Sequence, residues 1–236
     1  MSAKNKLKRF AENASFHNVI QPTFQEVIDD SIELKGKWRE QFFKNSNPIV
    51  VELGCGKGEY TINLARKYPD RNFIGIDIKG ARFWRGAKTA IEENLPNVAF
   101  IRTQIEFIDA FFALDELDEV WITFPDPQLK RKRAKKRLTA PYFLNKYKHI
   151  VKSSGLVHLK TDSSELHTYT IRLLEHNKQA FLLCTNDLYN SPVLNEELSI
   201  KTAYEKEYLK QGKAITYISF SLNNTINYIQ LPDNLL

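Results

Sequence analysis

The sequence is poor in cysteine. Its 236 residues include only Cys55 and Cys184. Two cysteines cannot build a disulfide framework, and no cysteine–histidine set has the spacing of a structural zinc site. This excludes disulfide-stapled scaffolds and zinc modules. It fits a reducing compartment, with Cys184 expected as a small core residue. Long apolar runs are also missing: none is long enough to span a bilayer. The opening Met-Ser-Ala-Lys-Asn-Lys-Leu-Lys-Arg-Phe lacks the apolar stretch of a signal peptide. The expectation is therefore a cytoplasmic protein with no membrane association. The five histidines, at 17, 149, 158, 167 and 176, match no motif and read as surface or packing residues. No metal is expected. No segment repeats and none is of low complexity.

What is present is an ordinary globular composition, 42% hydrophobic and 26% charged. The length suits one α/β domain with an appendage. Net charge is +6, and its distribution is uneven. Lys130, Arg131, Lys132, Arg133, Lys135, Lys136 and Arg137 place seven cations within eight residues, which leaves the rest of the chain at −1. A smaller basic patch holds Lys4, Lys6, Lys8 and Arg9. Such a stripe attracts polyanions through counterion release. A solvated loop or a membrane-surface patch would have the same composition.

Residues 1–22 are polar and basic and end at Pro22, the pattern of a mobile arm. Residues 24–43 carry scattered apolar positions around Gly36 and read as partly helical. Residues 1–44 thus form a basic arm and lead-in, and residues 45–236 the main domain, after the loop Asn45-Ser46-Asn47-Pro48. Ile49-Val50-Val51-Glu52-Leu53 has the β-branched, continuous apolar character of a buried strand. Further strands are expected at 73–77, 98–101, 119–123 and 155–160. Helices are expected at 60–68, 81–95 and 141–151, the last with Pro141 in its first turn. Another runs from a cap at Ser163 or Ser164 to about Asn177. Residues 181–184 and 215–222 read as two closing strands. Strand–helix alternation of this kind makes a mostly parallel sheet covered on both faces, with ligands at the carboxyl ends of its strands.

The residues just after those strands carry the chemistry. Glu52 closes on Gly54, Gly56 and Gly58, which permit a tight turn and close backbone approach to a ligand. Asp77 follows the second strand, where a carboxylate suits ribose hydroxyls. A glycine loop with a spaced acid indicates a nucleoside-containing cofactor; a plain strand-to-helix turn is the other reading of the loop. The spacing is Gly-x-Gly-x-Gly rather than the dinucleotide Gly-x-Gly-x-x-Gly. Glu52 beside it would repel a pyrophosphate and suits the cationic sulfonium and ammonium of S-adenosylmethionine. Phe124-Pro125-Asp126-Pro127 follows the fourth strand and leads into the basic stripe. Thr161-Asp162 follows the fifth, where Asp162 reads either as a third site acid or as a helix cap.

Together these segments resemble the bacterial tRNA (guanine-N7-)-methyltransferases, over almost the whole chain. The specific element is Phe-Pro-Asp-Pro followed by the Lys/Arg run. Glu-x-Gly-x-Gly, Thr161-Asp162, Thr202-Ala203-Tyr204-Glu205, residues 8–13 (Lys-Arg-Phe-Ala-Glu-Asn) and Ile20-Gln21-Pro22 accompany it. The resemblance implies a Rossmann-like class I methyltransferase with an antiparallel closing strand. It implies methylation of a variable-loop guanosine in tRNA, with S-adenosylmethionine as methyl donor. Carried over by position, Glu52, Asp77, Gln104 and Asp126 are cofactor contacts, along with the loop glycines Gly54 and Gly56. Lys130, Asp162 and Thr202, Tyr204 and Glu205 are tRNA or guanine contacts.

Three positions depart from the family pattern: Asp77 stands where Glu is frequent, Gln104 where Asp or Asn is, and Gln128-Leu129 replace Trp-His. Asp126 and Asp162 are the candidate catalytic acids, able to stabilise the cationic product ring and to accept from guanine N1–H and N2–H. The stripe and the N-terminal arm are the expected tRNA contacts; monomer and homodimer are both compatible with the sequence. The competing functions are a methyltransferase for another RNA or a protein, an RNA-binding module without activity, and, more distantly, a dehydrogenase.

Overall fold

The computed structural model describes residues 3–233. Met1, Ser2, the Lys4 side chain of the basic N-terminal patch and residues 234–236 lie outside the described part. The chain divides into two compact units, Met1–Leu117 and Asp118–Leu236.

The first unit is built on β1 (Val19–Ile20), β2 (Ile49–Leu53), β3 (Asn72–Ile76) and β4 (Val98–Ile101), in the order β1-β4-β3-β2. All three pairings are parallel. Every residue of β2, β3 and β4 is buried, which explains why they read as unbroken apolar runs rather than alternating ones. Helices α3 (Glu59–Lys67) and α4 (Gly80–Glu92) follow β2 and β3.

The reading of residues 1–22 as a mobile arm is corrected over its described part. It forms helix α1 (Ala3–Ser15) and then strand β1. Asn13 Nδ2 donates to Gly80 O at 2.9 Å and Arg9 to Ala81 O at 3.2 Å. The Arg9 guanidinium lies 4.3 Å from the Trp84 ring centre, and Trp84 Nε1 donates to Glu12. These polar contacts fasten α1 to α4 beside Phe10, whose ring packs against Gly80 at the start of α4. Residues 24–43 are partly helical: α2 (Phe24–Ile28), capped by Thr23 and Glu26 in a reciprocal box, and a π-helical turn at Trp38–Phe43.

The second unit holds β5 (Leu117–Thr123), β6 (Val151–Thr161), β7 (Leu183–Thr185) and β8 (Thr216–Phe220), in the order β5-β6-β8-β7. β8 runs antiparallel to both β6 and β7, which supplies the expected antiparallel closing strand. The helices are α5 (Pro141–Ile150), α6 (Ser164–His176) and α7 (Ala203–Lys210). Two histidines are packing residues. The His158 ring stacks on Trp121 at 4.0 Å, and His167 is 1% exposed, its pKa held down by burial. Cys184 is half-buried rather than a core residue, with its sulfur 3.6 Å from His167 Nε2. Cys55 is the buried thiol. The fold is thus mixed α/β with mostly parallel strands, as strand–helix alternation predicts. No helix among the described residues is long and apolar enough to cross a membrane.

Candidate active site

In the first unit the loop after β2 is tied to the end of β3, where Ile76 O accepts from Gly54 N at 2.8 Å and from Cys55 N at 3.0 Å. Gly54, Gly56 and Gly58 all have positive φ, at 72°, 58° and 75°. Their surroundings separate their roles. A Cβ on Gly54 would meet nothing within 4 Å, and one on Gly56 only the loop's own Gly54 O at 4.0 Å. A Cβ on Gly58 would lie 2.7 Å from the Phe100 ring. Gly58 is therefore required for packing, whereas Gly54 and Gly56 leave an open cradle that a ligand can approach.

Two carboxylates flank this cradle. Glu52 is 4% exposed and accepts from the backbone and hydroxyl of Thr61. Asp77 accepts from Gly56 N at 3.0 Å through one oxygen and from Lys79 N at 2.8 Å through the other. The second strand's acid thus braces the first strand's loop. Between them the Cys55 thiol is pushed well up, first by burial and then by Glu52 and Asp77. Glu52 and Asp77 themselves place two carboxylates beside the loop, a charge that suits a sulfonium or ammonium and opposes a pyrophosphate.

A cavity of about 210 Å³ lies in the same unit, lined among others by Ile78, Gln104 and Phe107 and by Gln21, Pro22 and Phe24. Gln104, expected as a cofactor contact, is exposed at its edge. Sequence reasoning missed Gln21 and Pro22 as walls. The cause is β1: Ile20 pairs with Ile101, and Arg102 N donates to Ile20 O at 2.9 Å. The chain on either side of that pairing then runs side by side.

In the second unit Phe124-Pro125-Asp126-Pro127 forms a tight loop after β5. Phe124 and Gln128 both have φ of 48°, left-handed values that a non-glycine residue adopts only where the surroundings enforce them. Phe124 N donates to Lys160 O at 2.8 Å, and Asp126 Oδ1 accepts from Gln128 N at 3.1 Å. Asp126 is exposed. Arg137, last of the seven cations, points inward: it is 5% exposed, reaches Pro127 O at 3.3 Å and lies 4.1 Å from the Tyr169 ring centre. Lys130 and the five other cations are exposed, five of the six on the 3-10 turn Arg131–Lys136.

Asp162 is not the cap of α6. Ser163 fills that role, accepting from Leu166 N at 3.2 Å. The Asp162 carboxylate pairs instead with Lys213 Nζ at 2.9 Å, which raises the lysine's pKa. Thr202 caps α7 by accepting from Glu205 N at 3.2 Å, and Tyr204 is 52% exposed. Glu205 is fully buried. Its Oε1 pairs with Lys160 Nζ at 2.7 Å and accepts from Tyr189 Oη at 2.6 Å, while Oε2 has no hydrogen-bonding partner among the described residues. Lys160 also donates to Leu198 O and Ile200 O, at 2.7 and 3.1 Å. Lys160 is the buried partner of Glu205 that sequence reasoning missed. Its signal was a lysine inside an otherwise apolar strand end, next to Thr161-Asp162.

Known proteins resemble this chain in sequence and in fold. The family described as "Putative methyltransferase" (Methyltransf_4) matches residues 46–218. The chain is 60% identical to the tRNA (guanine-N(7)-)-methyltransferase of Christiangramia forsetii, over 94% of this chain and 100% of that protein. It is 49% identical to the enzyme of the same name from Bacteroides fragilis, over 93% of this chain and 86% of that one. Among solved structures, the 16S rRNA methyltransferase KamB shares the fold at a TM-score of 0.60 and 14% identity, covering 78% of this chain and 92% of its own.

Proposed function

Because the chain belongs to the tRNA (guanine-N7-)-methyltransferase family, we propose that it transfers the methyl group of S-adenosylmethionine to N7 of a variable-loop guanosine in tRNA. The observation that carries this reading is the open Gly54–Gly56 cradle between the carboxylates of Glu52 and Asp77, whose charge suits a cationic nucleoside. Bound there, S-adenosylmethionine supplies an electrophilic methyl group on sulfur. Glu52 sets the field for its cationic end, Asp77 receives the ribose hydroxyls, and Gln104 with its cavity receives the adenine. Asp126 completes the cofactor contacts by family position.

Guanine N7 is an unprotonated in-plane acceptor, so no base is needed to free it. The enzyme's work is alignment and stabilisation of the positive charge that the ring acquires. Asp126 and Asp162 carry that second task. Lys130, Thr202, Tyr204 and Glu205 are assigned to the tRNA side, with Thr202 also holding α7 in place. Lys132, Arg133, Lys135 and Lys136 contact phosphates, and the N-terminal helix adds a second basic surface. Residues 45–236 form the catalytic domain and residues 1–44 its lead-in, acting in the cytoplasm where tRNA is found.

The test is direct. Unmodified tRNA incubated with the protein and labelled S-adenosylmethionine is digested to nucleosides, and 7-methylguanosine is the expected product. Label in any other nucleoside, or none in tRNA, would overturn the assignment.

Two variants probe its parts. Asp77→Ala should weaken methyl-donor binding by about 1.5–3 kcal/mol, through the lost ribose contact and the unbraced Gly56 amide. Calorimetry giving wild-type affinity would remove Asp77 from the cofactor site. Neutralising Lys132 and Lys135 together should flatten the log–log salt dependence of tRNA binding by about two, roughly one per phosphate contact, with methyl-donor affinity preserved. An unaltered slope would make the stripe a merely solvated surface.

A further inference from the structure

The second unit holds a cavity of about 430 Å³ that the proposed chemistry does not use. Leu129 and Arg137 wall it on one side, and Ser164, Thr168, Tyr169 and Arg172 of α6 on the other. None of Asp126, Lys130, Asp162 or residues 202–205 lines it. Its volume lies within the range of about 300–1,000 Å³ typical of small-ligand sites. Its walls combine three kinds of surface. Leu129 is 60% exposed and offers an apolar face. The hydroxyls of Ser164 and Thr168 and the carboxylate of Glu165 offer donors and acceptors at the rim. Arg172 is exposed and brings a cation.

The cavity is also built rather than incidental. Arg137 is buried between Pro127 O and the Tyr169 ring, and Tyr169 in turn donates to Gln230 Oε1 at 2.8 Å. This pins the segment after Phe-Pro-Asp-Pro against α6 and keeps the walls apart. The cations of the 3-10 turn Arg131–Lys136 lie, in sequence, between Leu129 and Arg137. The two lining residues Leu129 and Arg137 thus bracket the exposed cations in the chain.

We propose that this cavity is a second nucleotide site, which takes one unpaired nucleotide of the tRNA other than the target guanosine. The base lies on Leu129, its edge meets the Ser164 and Thr168 hydroxyls and Glu165, and its phosphate meets Arg172 and the stripe. Apolar contact with a base face and hydrogen bonds to its edge are the usual means by which unstacked nucleotides are held. The proposal rests on tRNA being the substrate.

The test separates filling from charge. Thr168 is exposed, so Thr168→Tyr fills the cavity without disturbing the core. Steady-state methylation of an unmodified tRNA transcript should show its KM raised about tenfold, with kcat, methyl-donor affinity and the salt slope of tRNA binding unaltered. Arg172→Glu should raise KM and also lower the slope by about one. A tRNA KM within twofold of wild type for Thr168→Tyr would overturn the nucleotide site while leaving the tRNA reading intact. Absence of tRNA methylation by the wild-type protein would overturn both.

Discussion

Asp162→Ala is expected to lose methyl transfer by about 100-fold in single-turnover rate while keeping wild-type affinity for S-adenosylmethionine, by analogy with removal of one oriented group that acts on the transition state. The structural reason to expect a functional loss is that helix capping does not employ this carboxylate. Ser163 caps α6, and Asp162 pairs with a half-exposed lysine, Lys213. Surface ion pairs of that kind contribute little to stability, so the variant should fold normally. Its loss should then fall on guanine recognition and on stabilisation of the cationic ring.

Asp126→Ala should damage both methyl-donor binding and rate. Asp126 also holds its own turn, by accepting from Gln128 N between two left-handed residues. Asp126→Asn keeps an oxygen for that bond and removes the charge. A rate loss in Asn as large as in Ala assigns the effect to the charge. The deciding measurement is single-turnover methylation at saturating cofactor and tRNA. Near-wild-type rates in Asp162→Ala and Asp126→Ala would reduce both residues to turn and surface roles, with alignment alone driving the reaction.

The largest effect on stability is expected at Lys160 and Glu205. Both side chains are fully buried, and they face each other at 2.7 Å. Burial pulls the lysine's pKa down while Glu205 pulls it up. Removing either partner leaves an uncompensated charge in the core, which typically costs about 3–5 kcal/mol. Lys160→Met also releases the Leu198 and Ile200 carbonyls that the ammonium holds, and with them the approach to α7. For a chain of this size such a loss lowers the melting temperature by roughly 10 °C.

Thermal unfolding followed by circular dichroism should show that drop for Lys160→Met and for Glu205→Leu. The double variant should recover much of it, since a well-packed apolar pair can replace a buried ion pair. Single variants that melt with the wild type would mean that the pair is not a structural tie. A double variant that is stable but inactive on tRNA would show that Glu205 also serves the substrate.

The strands that line the cofactor loop were legible from local pattern because their burial is complete. Ile49–Leu53 and Val98–Ile101 are short runs of apolar residues with no exposed face, so composition and bounding turns suffice to mark them. Glycines at 54 and 56, Asp77 one strand later, and a strained Phe-Pro-Asp-Pro loop are likewise local features, each within a few residues of a strand end. Chemistry that depends on neighbours in sequence can be read from sequence.

What only tertiary structure decided involves partners far apart in the chain. β1 has two residues and exists because Val19 and Ile20 find β4, so no periodicity announces it. Through it, a segment that reads as an arm becomes a wall of the Gln104 cavity. Helix α1 docks on backbone carbonyls of α4 67 and 72 residues away, a partner that its local pattern does not name. The sequence alone leaves Asp162, Ser163 and Ser164 as candidates for a cap; geometry at the start of α6 chooses Ser163. It likewise presents seven equivalent cations, of which packing against Tyr169 turns one, Arg137, into a brace. And it presents Glu205 as a free acid in a motif, when a lysine 45 positions earlier, at the end of β6, takes it into the core. In each case residue type determined which interactions were available, and burial, which depends on the whole fold, determined which of them formed.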